Sequence, residues 1–357
     1  SYTLREPVGV VGAIIPWNYP LMMAAWKIAP ALATGNTLIL KPASATPLSA
    51  IRLGELALEA GIPAGVLNVV PGPGAEVGEA IAAHPGIDKV AFTGETATGR
   101  RIAQAAATTL KRVSLELGGK SPNIVFADAD LDAAVIGSLW AIYYSAGQSC
   151  EARSRILVQD EVYESFASAF AEGAKGLKVG DPLADDTKVG SLISRAHAER
   201  VRGFVEMGTS DGGELLAGGP LSLDDGLDAD AFVAPTVIGR VANDARIAQE
   251  EVFGPVVTLT RFADEAEAVR VANDVRYGLA ATVWTGDAAR GHRVAQRIRS
   301  GAVGINTPFV AFPGVPFGGF KESGYGREQS LEALELYTET KAILQGTSPK
   351  TVNPFGI

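Results

Sequence analysis

From residue 8 to residue 117 the chain repeats one phrase: a short apolar run, a helix-patterned stretch, then another apolar run. Val8–Ile15, Asn36–Ala43, Gly65–Val70, Lys89–Thr93 and Val113–Leu117 read as buried strands. Leu21–Ala33, Thr46–Gly61, Ala75–Ala83 and Gly99–Ala107 lie between them and have helical spacing. Pro47 near the start of one helix and Gly61 at its end punctuate it as helix termini do. Strands that are apolar on both faces need cover on both sides, and crossover helices supply it. The pattern therefore predicts an α/β fold built on a doubly wound parallel sheet.

The rhythm restarts after Gly118-Gly119. Asn123–Ala127, Arg155–Val158, Val256–Phe262, Ala281–Thr285 and Ala302–Asn306 read as strands. Leu131–Ser145, Val162–Gly173, Ala263–Ala272 and Ala288–Arg299 read as helices, so a second α/β unit is expected. Glu206–Asp230, rich in Gly, Asp and Leu, reads as a surface excursion. The glycine-rich PFGGFKESGYGRE follows at 316–328, then a helix near Ser330–Leu336 and a terminal strand in Leu336–Leu344. An exposed terminal strand invites pairing with another chain.

Charge and composition narrow the function. A net charge of −9 argues against general nucleic-acid binding, which requires a basic face. No apolar run approaches the roughly 18 residues of a membrane span, so no membrane partner is expected. One cysteine excludes an internal disulfide and fits a reducing cytoplasm. His84, His197 and His292 are scattered, which points to no metal site, and they read as surface residues. The opening SYTLREPVGV has no signal-peptide pattern; it lacks an initiator Met and starts in mid-phrase, so an upstream segment is expected.

Several residues carry possible chemistry. Two turns, at Gly72–Gly78 and Phe92–Gly99, join a strand to a helix and are either anion cradles or ordinary βα turns. Pro16-Trp-Asn-Tyr-Pro20 ends the first strand, where open α/β sheets bind ligands; its prolines stiffen the loop, and Asn18 is either a structural turn residue or an amide aimed at a fixed point. Lys41 ends the next strand on the same edge. Glu116 sits between Leu115 and Leu117 before two glycines and is either a salt-bridged glutamate at a strand end or a general base whose pKa the apolar flanks raise. Cys150 follows a long helix through Gly147, in a loop rather than on an apolar stripe, and is either a small core residue or a nucleophile.

Together these residues resemble the aldehyde dehydrogenase superfamily. The resemblance rests on PWNYP at 16–20, KPAS at 41–44, FTGETATG at 92–99, LELGGK at 115–120, GQSC at 147–150, EEVFGPV at 250–256 and PFGGFKESGYGRE at 316–328. These phrases stand in the family's order along nearly the whole chain. The resemblance implies that Cys150 attacks an aldehyde carbon, giving a thiohemiacetal and then a thioester. It implies that Asn18 and the Cys150 N–H hold the oxyanion, and that Glu116 activates the hydrolytic water. It implies NAD or NADP as cofactor, held by Trp17, Lys41, Ser44, the loop Gly94, Glu95, Thr98 and Gly99, and by Leu117, Glu251 and Phe253. Tyr19, Met23, Trp26, Ser149, Phe309 and Phe312 correspond to the substrate pocket, an apolar or aromatic-tolerant one.

The family's architecture implies a cofactor-binding domain over 1–117, a catalytic domain over 118–317 and a return segment over 318–335. An oligomerisation strand over 336–346 and a tail over 347–357 complete it. A homodimer or homotetramer is implied for a full-length chain, in which well over a hundred residues precede SYT. Two residues depart from the family. Ser44 stands where NAD-preferring members carry Glu, which removes a barrier to NADP. Glu95 replaces the more usual Ser, placing a carboxylate near the phosphate loop. Two alternatives are a CoA-acylating relative, which generally lacks the Glu116 base, and a truncated, catalytically silent relative.

Overall fold

The computed structural model describes residues 1–224, 226–347 and 356. Strand β1 (Tyr2–Pro7) comes first, a strand for which the sequence gives no alternating signal. Then β2 (Val10–Ile14), β3 (Thr37–Lys41), β4 (Leu67–Val69), β5 (Lys89–Thr93) and β6 (Arg112–Glu116) form a parallel sheet in the order β6-β5-β2-β3-β4. Helices α1 (Pro20–Ala33), α2 (Leu48–Glu59), α3 (Glu79–Ala83) and α4 (Thr96–Ala107) make the crossovers. Val11, Ala13, Leu38 and Leu40 are fully buried in one core with Ala24 and Ala31 of α1, as strands covered on both faces require.

The second sheet contains β7 (Pro122–Val125), β8 (Arg155–Gln159), β9 (Glu214–Ala217), β10 (Thr236–Gly239) and β11 (Val256–Phe262). After the short β12 (Tyr277–Gly278) it adds β13 (Ala280–Trp284) and β14 (Ala302–Ile305), in the order β14-β13-β7-β8-β11-β10-β9. All neighbours are parallel except β9, which runs antiparallel to β10. Helices α5 (Leu131–Tyr143) and α6 (Tyr163–Lys175) pack on it through Ile142, Phe166 and Phe170. Asp130 starts α5 by accepting from the Ala133 N–H, the usual way of satisfying a free helix-start donor.

One expectation requires correction. The stretch 206–230 is not wholly irregular: α7 (Arg195–Ser210) runs into it, and β9 follows. Polar and charged residues cover most of the surface of α7, so its narrow apolar stripe, Ala198, Val201 and Phe204, was outweighed by the glycines beyond. The terminal strand, β17 (Thr338–Ile343), has a partner in its own chain, pairing antiparallel with β1 from Tyr2↔Ile343 to Pro7↔Thr338. The chain between the second sheet and β17 returns to the first sheet, where β16 (Gly324–Tyr325) pairs with β6, after β15 (Phe320–Lys321) has paired with β12. Most of the tail expected over 347–357 lies outside the described residues. No described helix is long and apolar enough to cross a membrane.

Candidate active site

Parallel register sets the site. Ile14 pairs with Lys41 and with Phe92, and Thr93 pairs with Glu116, so four strands end along one edge. The loop at 16–20, Lys41, Gly94-Glu95 and Glu116 all leave that edge, the position at which open α/β sheets bind ligands. Facing it is the end of α5, which delivers Cys150. Between them lies a cavity of about 400 Å³ lined by Asn18, Glu116, Cys150 and Glu251, among others.

The Cys150 loop is held in an unusual backbone. Ser145 and Ala146 have φ of 53° and Gly147 has 71°, three consecutive left-handed residues. Such geometry in non-glycine residues is costly and persists only where surrounding contacts enforce it. At Gly147 a side chain is excluded outright, since a Cβ there would lie 2.1 Å from the Gly254 carbonyl oxygen. Gln148 pins the loop by accepting the Ile193 N–H at 2.9 Å, and its own carbonyl accepts from Asn18 Nδ2 at 3.0 Å. Cys150 itself is partly accessible. Burial pushes its thiol pKa well above the usual value, and the carboxylates of Glu151, Glu251 and Glu116 raise it further.

Glu116 is almost fully buried and neither carboxylate oxygen has a hydrogen-bond partner among the described residues. Desolvation raises its pKa well above the carboxylate range and the nearby Glu328 carboxylate adds to the rise, while Lys27 and Arg327 oppose it. Lys27, from the apolar face of α1, donates to Glu328 Oε1 and to Thr93 Oγ1, both at 2.7 Å. Glu251 accepts the Gly119 N–H at 3.0 Å; burial pushes its pKa up to about 7 against the pull of that bond and of Lys120. Gly118 makes room for it, because a Cβ at 118 would fall 2.1 Å from Glu251 Oε2.

Trp17 and Phe253 meet edge to face with ring centroids 5.4 Å apart, and Phe253 is itself left-handed at φ 61°. Glu95 lines the cavity just before α4, whose N-terminus has no side-chain cap. Leu117 and Gly94 line it as well. Lys41 is buried at the end of β3 and desolvation lowers its pKa. Ser44 is exposed and donates to the Gly72 carbonyl at 3.1 Å, which ties the loop after β3 to the turn at Gly72–Gly78. Thr98 and Gly99 lie inside the first turn of α4, outside the cavity; Gly99 faces Leu117, whose Cδ2 would stand 2.5 Å from an added Cβ.

Tyr19, Met23, Trp26 and Ser149 line the other half. Ser149 and Ser145 hydrogen-bond the Tyr19 hydroxyl, whose pKa burial pushes up to about 12. Phe309 and Phe312 do not line the cavity. They are half exposed, Phe309 tilted on Trp140 with centroids 4.4 Å apart and Phe312 on Phe309 at 6.1 Å. Trp140 and Tyr144, stacked at 4.7 Å, also line the cavity, and sequence reasoning passed over them. Their i, i+4 spacing at the end of the helix feeding Cys150 was the available signal.

Sequence reasoning also left His197 on the surface. It is half-buried, its Nε2–H donates to the Phe253 carbonyl at 2.7 Å, and its ring meets Trp17 at 5.7 Å; burial lowers its pKa. Arg200, one turn along α7, lines the same half of the cavity. Lys27 and Glu328 were missed too, although a lone lysine in the apolar run PLMMAAWKIAPALA indicates a buried charge needing a partner.

Comparison with known proteins agrees with this geometry. The model of the aldehyde dehydrogenase family matches residues 1–343. A betaine aldehyde dehydrogenase of Bacillus subtilis is 47% identical over 355 residues, 99% of this chain and 72% of its own length. A phenylacetaldehyde dehydrogenase of Pseudomonas fluorescens is 48% identical over 343 residues, 96% of this chain and 68% of its own. The crystal structure of a betaine aldehyde dehydrogenase of Staphylococcus aureus in complex with NAD+ superposes with a TM-score of 0.97 at 44% identity, covering 99% of this chain and 71% of that one. A nucleophile candidate, an unpartnered carboxyl and an amide donor share one cavity, and sequence and fold match along almost the full chain: it belongs to the aldehyde dehydrogenase family.

Proposed function

We propose that the chain oxidises an aldehyde to the free acid through a Cys150 thioester. Membership of the family makes it an NAD(P)-dependent aldehyde dehydrogenase; the assignment of steps to residues is our own reading. The observation that carries it is Glu116, whose two oxygens are buried and unpartnered in the cavity that also holds Cys150. A carboxyl without protein partners in a substrate cavity is poised to take a proton from something that enters.

Cys150 Sγ attacks the aldehyde carbon, and its proton leaves to Glu116, whose raised pKa matches it to that role. The second Nδ2 hydrogen of Asn18 and the Cys150 N–H are the donors for the oxyanion of the thiohemiacetal. A nicotinamide cofactor, when bound, supplies the hydride acceptor that turns this adduct into a thioester. Glu116 passes that first proton to solvent, then removes a proton from water as it attacks the thioester carbon, and the Cys150 thiolate leaves with release of the acid. Its retention favours water over coenzyme A as the acceptor.

The first sheet's edge fits a dinucleotide. The uncapped start of α4 presents free N–H groups, and Lys41 offers a buried ammonium whose pKa desolvation lowers. We assign Lys41 and Ser44 to the adenosine ribose, Gly94 to Gly99 to the pyrophosphate, and Glu251, Phe253, Trp17 and Leu117 to the nicotinamide end. Ser44 in place of a carboxylate supports use of NADP beside NAD. Relatives named for betaine aldehyde and for phenylacetaldehyde carry cationic and aromatic tails, and both tails suit a lining of Tyr19, Trp26, Trp140 and Tyr144.

We divide the chain into a cofactor domain (1–117), a catalytic domain (118–317), a return segment (318–335) and an assembly strand (336–346). The exposed residues Glu339–Ala342 of β17 support a homodimer or homotetramer, and the single unpaired cysteine supports a cytoplasmic setting. The test is a rapid-mixing experiment with an aldehyde panel, either cofactor, and no coenzyme A. The parent is expected to form acid, Cys150→Ser none, and Glu116→Gln a slowed single turnover of reduced cofactor followed by still slower steady turnover. Full steady turnover by Glu116→Gln would refute the assignment of the base.

A further inference from the structure

The cavity is electrically divided. Its cationic lining among the described residues is Arg200, which with His197 belongs to the Trp17–Phe253 half. The opposite half, where Trp140 stacks on Tyr144, has aromatic and thioether side chains and one additional carboxylate, Glu151.

Glu151 follows the nucleophile directly, and no step of the reaction uses it. Its Oε2 accepts from Arg153 Nη1 at 2.8 Å. Arg153 is fully buried behind it: Nη1 also donates to the Glu151 carbonyl at 2.8 Å, Nε to Thr282 Oγ1 at 3.2 Å and Nη2 to the Pro308 carbonyl at 2.7 Å. One guanidinium thus ties Glu151 to the segment carrying Phe309, which packs on Trp140. The arrangement places Glu151 at the aldehyde half and fixes its orientation. The Glu151 side chain keeps 22% of its surface exposed and the Arg153 side chain 1%, so solvent and ligands meet the carboxylate and not the guanidinium. A carboxylate exposed in a lining that also holds aromatic rings presents negative potential there, in part offset by the guanidinium behind it.

We infer that Glu151, held by Arg153, is a specificity residue that turns the aldehyde half toward cationic-tailed aldehydes and away from anionic ones. This rests on the reading of Cys150 as the nucleophile of the same cavity. An anionic tail finds no cation lining this half among the described residues, since Arg153 lies behind Glu151, and it meets Glu151, so exclusion is built by repulsion as much as by attraction.

Three aldehydes separate charge from shape: 4-(trimethylammonio)butanal, its neutral isostere 5,5-dimethylhexanal, and succinic semialdehyde. For the parent, kcat/KM for the cation is expected to exceed that for the anion by at least about tenfold, the scale of one charge contact in a partly wet site. Glu151→Gln is expected to lower the cation-to-isostere ratio by about fivefold, and Glu151→Asp to keep it. Each ratio is taken within one preparation, so loss of folded protein cancels. Equal parent efficiency on cation and anion would overturn the inference without any variant, and so would an unchanged ratio in Glu151→Gln. Turnover of none of the three aldehydes would instead remove the catalytic reading, and this inference with it.

Discussion

Lys27 and Glu328 form an ion pair at 2.7 Å whose side chains are 0% and 5% exposed. It bolts the return segment to α1, and it stands beside Glu116, so three ionisable groups share one desolvated space. Removing one partner of such a pair leaves an uncompensated buried charge, which costs about 3–5 kcal/mol. Lys27→Met does this and takes from Glu116 the cation that opposes its pKa rise. At about 2.1 cal/mol/K per residue over 357 residues, the unfolding entropy is roughly 0.75 kcal/mol/K, so the melting temperature should fall by about 4–7 °C at pH 7.5. Replacing both partners, as in Lys27→Met with Glu328→Leu, removes the stranded charge and should recover most of that loss. Calorimetry checks stability, and the acid limb of the steady-state pH profile checks the electrostatics: it should move to higher pH in Lys27→Met and to lower pH in Glu328→Gln. A melting temperature within 2 °C of the parent, or a double variant as unstable as the single, would refute the argument.

Other outcomes follow from the same site. Glu116 has a folded-state pKa above its unfolded value of 4.5, so its ionisation is disfavoured by folding and lowers stability progressively as pH rises from the unfolded toward the folded pKa. Glu116→Gln should therefore melt higher than the parent at pH 8, with the gain vanishing near pH 4, even as turnover collapses; equal melting at both pH values would contradict the raised pKa. Because Glu151 helps raise the Cys150 pKa, Glu151→Gln should be alkylated by iodoacetamide faster than the parent at pH 8, a comparison read by mass spectrometry. Gly147→Ala must bring a Cβ to 2.1 Å from the Gly254 carbonyl at a left-handed φ, which should cost about 2 kcal/mol or more and reduce kcat further by displacing the thiol; parent-like activity would count against the rigid loop.

How legible was this in the residues? Strands apolar on both faces and flanked by helices left little choice of fold, because only crossover helices cover such strands twice. The residues that terminate those strands, Asn18, Lys41, Glu95 and Glu116, were correspondingly easy to bring to one edge. What stayed hidden came from elsewhere in the fold. His197 and Arg200 sit on α7, a helix whose charged surface resembles that of any solvated helix, and only packing of its Ala198–Phe204 stripe turns them inward. Phe309 and Phe312 were expected in the pocket, but the loop carries them to its outside and Trp140 lines it instead. The pairing of β1 with β17 joins residues more than 330 apart in sequence, a contact that no local pattern encodes.

The positions of the acidic groups answer a harder question: why a site that needs a thiolate surrounds its cysteine with carboxylates. Glu116, Glu151 and Glu251 all raise the thiol pKa, so the resting cysteine is held protonated and poorly nucleophilic. Glu116 is raised as well, and Glu251 to about 7, so neither of these two carboxyl groups is firmly ionised in the resting cavity. A proton passing from Cys150 to Glu116 therefore costs less than either pKa implies alone, since it removes one negative charge beside the new thiolate as it creates another. The pair behaves as one acid, thiol and carboxyl sharing protons, whose ionisation is sensitive to any positive charge entering the cavity. A ligand that brings positive charge should lower the pH at which Cys150 is alkylated, while a neutral ligand of equal bulk should only shield it. If both slow alkylation equally at every pH, the thiol is governed by access alone and the coupling argued here is absent.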